Sequence, residues 1–259
     1  MADLSNKVTI ITGAGAGLGR AMALMFSEAG ALLVLAGRTK ATLDETAAML
    51  KGESLVVPTD VTVEDQVKGL VAATVARFGR VDILINNAPD PGEFAYIWEK
   101  SLARWNQTFA VNVTGPMLCT REAVAQSMME RRSGAIVNIS SGSGWDGVPR
   151  RSDYSTSKAA LRTLTKVTAR ELGPYGIRVN CVVPGMIEGE ALQRYIHRTA
   201  KEQGVAPEVI AEPLRSGSPM KRGATEEEVA RVVLFIAGDD AGIITGHSVA
   251  VDLGRTLVG

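Results

Sequence analysis

The chain has 259 residues, 46% of them hydrophobic, and its 28 basic and 28 acidic residues cancel, the profile of an ordinary globular protein long enough to bury a substantial core. A balanced charge with no basic run leaves no electrostatic footprint for nucleic acid or an anionic membrane, so neither is an expected partner. The first residues lack the basic and apolar regions of a signal peptide and no apolar run would span a bilayer, which makes a cytoplasmic protein the expectation.

Residues 7–12 form a short β-branched run. It is followed by Gly13-Ala14-Gly15-Ala16-Gly17-Leu18-Gly19 and by an apolar pattern at Leu18, Ala21, Met22, Met25 and Ala29, closed by Gly30. The predicted order is strand, glycine turn, helix. Glycines there let the backbone approach a pyrophosphate, while the helix N-terminus offers free N–H groups and the positive end of its dipole. The spacing of Gly13, Gly17 and Gly19 differs from the Gly-x-Gly-x-x-Gly fingerprint of other dinucleotide folds. A second strand over 32–36 leads into Gly37-Arg38-Thr39-Lys40. Where an NAD-binding fold places an acid for the ribose 2′-hydroxyl, this chain offers Arg38, whose planar fork of donors suits a 2′-phosphate. The expected cofactor is NADP(H), with NAD(H) as the alternative.

Further strands are predicted over 55–60, 81–86, 135–141, 177–183 and 249–252. Thr62 with Asp65 reads as the capping box of a helix ending near Phe78, and Thr225 with Glu228 as that of a helix ending near Ala237. A long helix is predicted from about Ser101 to Arg132 with Asn112 inside it, a costly interior residue that suggests a local kink or a role. Asp60 and Asn86-Asn87-Ala88 fall at carboxyl ends of strands, where a doubly wound sheet places its ligand-binding loops. Five or more β-then-α units with no break in composition predict a single α/β domain over 1–259, a doubly wound parallel sheet of about seven strands with helices on both faces. Residues 186–220 interrupt the rhythm, as an insertion placed where a lid would sit. Cys119 and Cys181 lie far apart in sequence and read as buried thiols; His197 and His247 are equally isolated, so no metal is expected.

Tyr154-Ser155-Thr156-Ser157-Lys158 puts a phenol and an ammonium four residues apart, on one face of a helix. A neighbouring cation stabilises a phenolate, which makes the pair a candidate proton-transfer unit. It follows Ser141 by thirteen residues.

Taken in order, Thr12-Gly13-x-x-x-Gly17-x-Gly19, Asp60, Asn86-Asn87-Ala88, Asn112, Ser141, Tyr154-x-x-x-Lys158 and Pro184-Gly185 resemble the short-chain dehydrogenase/reductase family, in particular its members similar to 3-oxoacyl-acyl-carrier-protein reductases. The resemblance covers nearly the whole chain. It implies a Rossmann-type sheet, a nicotinamide cofactor, and reversible hydride transfer between an alcohol and a carbonyl in a homotetramer or homodimer. It also implies roles for particular residues. Tyr154 would be the general acid/base, Ser141 would bond the reacting oxygen, Lys158 would hold the nicotinamide ribose, and Asn112 would hold a water of the proton relay. Gly13, Gly17, Leu18, Gly19, Arg38, Asp60, Val61, Asn87, Pro184 and Gly185 would join Tyr154 and Lys158 around the cofactor, with Asp60 and Asn87 at the adenine and its ribose.

Three departures stand out. Pro89 replaces a glycine after Asn-Asn-Ala, Gly189 replaces a threonine that commonly bonds the nicotinamide carboxamide, and the last strand reads Val251-Asp252-Leu253-Gly254 rather than ending in Asp-Gly-Gly. Trp145, Tyr96 and Trp98 are candidate walls of an apolar pocket, and Arg150 and Arg151 would either attract an acidic substrate or form a solvated pair. The expected substrate is a ketone or secondary alcohol: a 3-oxoacyl thioester, a cyclic ketone or a polyol. Two alternatives stay open, a catalytically silent nucleotide-binding sensor or scaffold and an NAD-linked alcohol dehydrogenase.

Overall fold

The computed structural model describes residues 3–257. In chain order, β1 (Val8–Thr12), α1 (Gly17–Glu28), β2 (Leu32–Gly37), α2 (Lys40–Ala48), β3 (Ser54–Pro58), α3 (Glu64–Phe78) and β4 (Ile83–Asn86) alternate strictly. Next comes α4 (Leu102–Phe109), which passes through a π-helical turn (Ala110–Thr114) into α5 (Gly115–Ala123) and through a second (Val124–Met128) into α6 (Met129–Arg131). The chain continues with β5 (Gly134–Ile139), α7 (Ser143–Asp146), α8 (Ser152–Leu172), β6 (Ile177–Pro184), β7 (Ile187–Glu188), α9 (Glu190–Gln203), α10 (Pro207–Ser216), β8 (Ala224–Thr225), α11 (Glu226–Ala237) and β9 (Ser248–Val251).

Seven strands form one sheet in the order β3-β2-β1-β4-β5-β6-β9, and every pairing in it is parallel. The strands are rich in Val, Ile and Leu because both faces are covered. Ile10, Val34, Leu84 and Ile136 pack with α3, α5 and α8 on one face, whereas Ile11, Leu33, Leu35, Ile85 and Val137 pack with α1 and α11 on the other. The expected doubly wound Rossmann-type sheet is therefore present. From β1 the chain winds outward to β3, then returns to β4 on the other side of β1. That reversal opens a crevice at the carboxyl ends of β1 and β4, the usual ligand position in open α/β sheets.

Local chemistry shifts some expected boundaries. The capping box at Thr62 and Asp65 is absent: Val63 is the N-cap of α3 and makes no side-chain cap. Thr62 instead donates its N–H and hydroxyl to Asp60 Oδ1, at 2.9 and 2.7 Å, so the turn made by Asp60 takes the hydroxyl the cap would need. The box at Thr225 and Glu228 does form, with reciprocal bonds of 3.2 and 2.8 Å. Val81 lies outside β4, its N–H donated to Ser127 Oγ at 2.8 Å. Residues 186–220 hold two helices and a short strand, β7, which pairs with β8; Arg215 of α10 grips Glu188 of β7 at 2.8 and 3.1 Å. Both cysteines are free and buried, and burial pushes the Cys119 thiol up to about 12 and the Cys181 thiol up to about 11. No helix among the described residues is long and apolar enough to cross a membrane.

Candidate active site

The glycine turn is built by close approach. Gly13 has φ +68°, and a Cβ there would lie 2.8 Å from the Ala88 Cα; a Cβ on Gly19 would meet the Gly13 carbonyl at 2.0 Å. Asn87 sits buried beneath the turn. Its Nδ2 donates to the carbonyls of Thr12 and Gly13 at 2.9 and 3.2 Å, and its N–H donates to Thr12 Oγ1 at 2.9 Å. Above it, α1 starts with Ala16 as an N-cap that offers no side-chain bond, and the first turn holds no acid. The free N–H groups of that turn are therefore left for an anion to satisfy.

Around this turn, Leu18 packs partly buried against the core, and Arg38 is exposed beyond the end of β2. Asp60 is half-buried and occupied by Thr62, and Val61 is buried in contact range of Gly115, where a Cβ would lie 2.8 Å from Val61 Cγ2. Pro184 ends β6 and Gly185 follows it. The Pro184 carbonyl accepts from the Gly142 N–H at 2.9 Å, and Gly185 has no room for a side chain because a Cβ would meet the Asp252 Cβ at 2.7 Å.

Helix α8 carries Tyr154 and Lys158, the two candidate proton-transfer residues. Lys158 is 3% exposed, its Nζ donates to the Ile139 carbonyl at 2.9 Å, and its own carbonyl accepts from Ser140 Oγ at 2.9 Å. These two bonds staple α8 to the end of β5, next to Ser141. Ser141 Oγ accepts from the Ser143 N–H at 3.3 Å. Tyr154 is half-buried, with Lys158 Nζ at 5.7 Å and the Arg151 guanidinium at 4.1 Å from its ring centroid. Arg151 thus lies on the phenol ring and bonds the Pro91 carbonyl at 3.0 Å.

Asn112 does mark an irregularity, inside the π-helical turn, and is buried. Its Oδ1 accepts from the Asp90 N–H at 2.8 Å, and its Nδ2 donates to the Asp90 carbonyl at 2.9 Å and to Ser157 Oγ at 3.0 Å. The loop that follows Pro89, which has no N–H to give, is therefore clamped at the next residue and tied to α8.

Two acids that sequence reasoning passed over hold this loop in place. Asp153, fully buried, accepts from the N–H groups of Glu93 and Tyr154, both at 2.8 Å, from Lys100 Nζ at 3.2 Å and from Thr108 Oγ1 at 3.4 Å. Burial pushes its carboxyl up, but the two N–H groups and the ammonium outweigh that and hold it below the usual carboxylate range. Asp90 takes Arg104 at 2.8 Å and the Gly92 N–H at 2.8 Å. The only sequence signal was an acid in the first turn of the helix that carries Tyr154.

The aromatic candidates do not gather in one pocket with Ser141 and Tyr154. Tyr96 and Trp98 stack on each other at 4.7 Å and line a shallow groove with Val148, Arg150, Ser155 and Thr156, whose walls include neither Ser141 nor Tyr154. Trp145 covers Arg162 of α8 at 4.2 Å, and Arg150 covers Phe94 at 4.3 Å.

With this geometry in place, residues 13–256 match the family model described as enoyl-(acyl carrier protein) reductase. The chain belongs to the short-chain dehydrogenase/reductase family. It is accordingly an oxidoreductase of a family that uses nicotinamide cofactors. An uncharacterized oxidoreductase of Thermotoga maritima is 41% identical over 99% of this chain and 100% of its own. Levodione reductase superposes with a TM-score of 0.93 at 32% identity, covering 98% and 99% of the two chains. NAD+-bound xylitol dehydrogenase does so with 0.90 at 32% identity, covering 96% and 98%.

Proposed function

We propose that this short-chain dehydrogenase/reductase moves a hydride between NADP(H) and a ketone or secondary alcohol, with Tyr154 as the general acid/base. One observation carries the reading: α8 is stapled through Lys158 to the end of β5, next to Ser141, and holds the Lys158 ammonium 5.7 Å from the Tyr154 ring. The residues fit a dinucleotide, because Gly13 and Gly19 leave a turn without side chains and α1 leaves its N–H groups uncapped. A bound nicotinamide supplies or accepts the hydride. Tyr154 then gives the proton to the carbonyl oxygen or takes it from the alcohol, and Ser141 donates a hydrogen bond to that oxygen as charge develops there. Lys158, fixed by the Ile139 carbonyl, holds a positive charge beside the phenol as its proton leaves. Asn112 acts by holding the loop after β4 in register with α8.

The preference for NADP(H) rests on Arg38, exposed where a 2′-phosphate would be met and without a carboxylate beside it in the sequence. Residues 186–220, which carry α9 and α10, are assigned as the part that covers the substrate, and one domain as the whole unit. The substrate class is a ring ketone, a polyol or an acyl thioester, a range supported by the likeness to levodione reductase, to xylitol dehydrogenase and to the acyl-carrier-protein reductase family model. The test is a panel of these carbonyls and alcohols with NADPH, NADH and their oxidised forms, read by nicotinamide absorbance. Turnover with at least one class, faster with the phosphorylated cofactor, is expected. Tight cofactor binding with no turnover across the panel would instead make the chain a nucleotide sensor.

A further inference from the structure

Glu226 opens α11, and its carboxylate reaches between two glycines that belong to other elements. A Cβ on Gly17, at the start of α1, would lie 3.4 Å from Glu226 Oε1, and a Cβ on Gly189, just before α9, would lie 2.2 Å from the same atom. Gly189 has φ −154° and ψ −179°, an extended backbone that any residue adopts, so space and not conformation accounts for its glycine. The carboxylate of Glu226 fills the volume in which a side chain at 189 would begin. The departure at Gly189 and the acid at 226 are thus two halves of one arrangement.

No cation among the described residues pairs with this carboxylate. On its own helix, Glu227 is a neighbour of like charge and Glu228 is held by Arg222 at 2.7 Å. From the segment before α11, Glu190 of α9 is a second like charge, and Glu188 of β7 is held by Arg215. On α1, Arg20 is spent on the Gly15 carbonyl and Glu45, at 2.7 and 3.0 Å. The N-terminus of α11 favours the anion, whereas burial first, then Glu227 and Glu190, push the carboxyl up. An anion arriving at the start of α1 adds a further like charge in a half-buried crevice.

We propose that Glu226 makes dinucleotide binding proton-linked: its carboxylate takes up one proton from solvent as the pyrophosphate settles at the start of α1, and the resulting O–H faces the nucleotide as a donor. This rests on the reading of the glycine turn as the pyrophosphate site. Affinity then falls as pH rises, by at most about tenfold per pH unit, across the window between the carboxyl's values in the free and bound protein.

The experiment is calorimetric titration of wild type and Glu226→Gln with NADPH and with NADH, in buffers of different ionisation enthalpy, from weakly acidic to weakly basic pH. Wild type is expected to take up as much as one proton more than the variant for either nucleotide, the titration of the 2′-phosphate cancelling in the difference. Glu226→Gln is expected to bind more tightly than wild type at the basic end, with a flatter profile. Gly189→Ala, whose Cβ pushes the carboxylate aside, is expected to lose part of the linkage, and Glu226→Ala gives the same readings if the glutamine variant folds poorly. Equal proton uptake in wild type and Glu226→Gln, or weaker binding by the variant at every pH, overturns the proposal while leaving the pyrophosphate site standing. Failure of both nucleotides to bind wild type at any pH overturns the site and the linkage together.

Discussion

Replacing Asp153 by Asn probes the joint between the loop after β4 and the helix that carries Tyr154. The carboxylate is fully buried and the Lys100 side chain that faces it is 3% exposed, so the substitution strands an ammonium in the interior. Oδ1 receives Lys100 and the Tyr154 N–H, and Oδ2 receives the Glu93 N–H and Thr108. An amide keeps only one acceptor oxygen, and its NH2 group would confront one of these donors. One orphaned buried donor costs about 1–3 kcal/mol, and the unneutralised ammonium brings the expected loss to about 3–5 kcal/mol. Lys100→Met in the same chain removes the stranded charge, and the double variant is expected to recover about 2 kcal/mol of that loss. Urea unfolding followed by tryptophan fluorescence, at several protein concentrations to expose any subunit dissociation, measures both. A loss below about 1 kcal/mol for Asp153→Asn, or a double variant whose loss is the sum of the singles, would refute the claim that the pair is a buried tie.

Arg38→Ala is expected to weaken NADPH binding by about ten- to a hundredfold, the value of a charge-assisted pair, and to leave NADH nearly unchanged; equal losses in a fluorescence titration would remove Arg38 as the phosphate reader. Acid should unfold the protein partly through Asp82 and Asp153. Burial pushes Asp82 up, yet the Val8 N–H, Arg80 and Arg131 hold it below the usual carboxylate range, as the partners of Asp153 do for that residue. Both folded values are depressed, so their contribution is fully present above the ordinary carboxylate value of about 4 and is lost as pH falls through the lower folded values. Melting temperature should drop steeply in that acid window, and Asp82→Asn should flatten the drop; an unchanged slope would contradict it.

How much could be read beforehand follows from the range of each signal. The Val, Ile and Leu runs of β1, β2 and β6 and the glycine turn are local, because strand burial and turn geometry act on neighbouring residues. Tyr154 and Lys158 share one helical face by spacing alone. The placement of Asp153 depends on Lys100, 53 residues away, and that of Glu226 on Gly189 and Gly17, contacts that only the fold creates. Thr62 shows a local misreading: hydroxyl and acid are spaced for a capping box, but Asp60, two residues earlier, takes the hydroxyl first. Tyr96 and Trp98 do line a groove, but what each aromatic packs on is not legible in the sequence, since a ring takes its nearest cation or ring in the fold, here Arg150 for Tyr96 and Arg162 for Trp145.

Tyr154 is the proposed proton donor for hydride transfer at the carboxyl edge of this sheet. The direct measurement follows deuterium from 4-deuterated NADPH into the alcohol formed from an accepted carbonyl, in wild type and in Tyr154→Phe, with cofactor affinity titrated alongside. Label is expected in the carbinol carbon with wild type, and with Tyr154→Phe a rate lower by about a hundredfold or more at nearly unchanged cofactor affinity. Undiminished label transfer by Tyr154→Phe would contradict it.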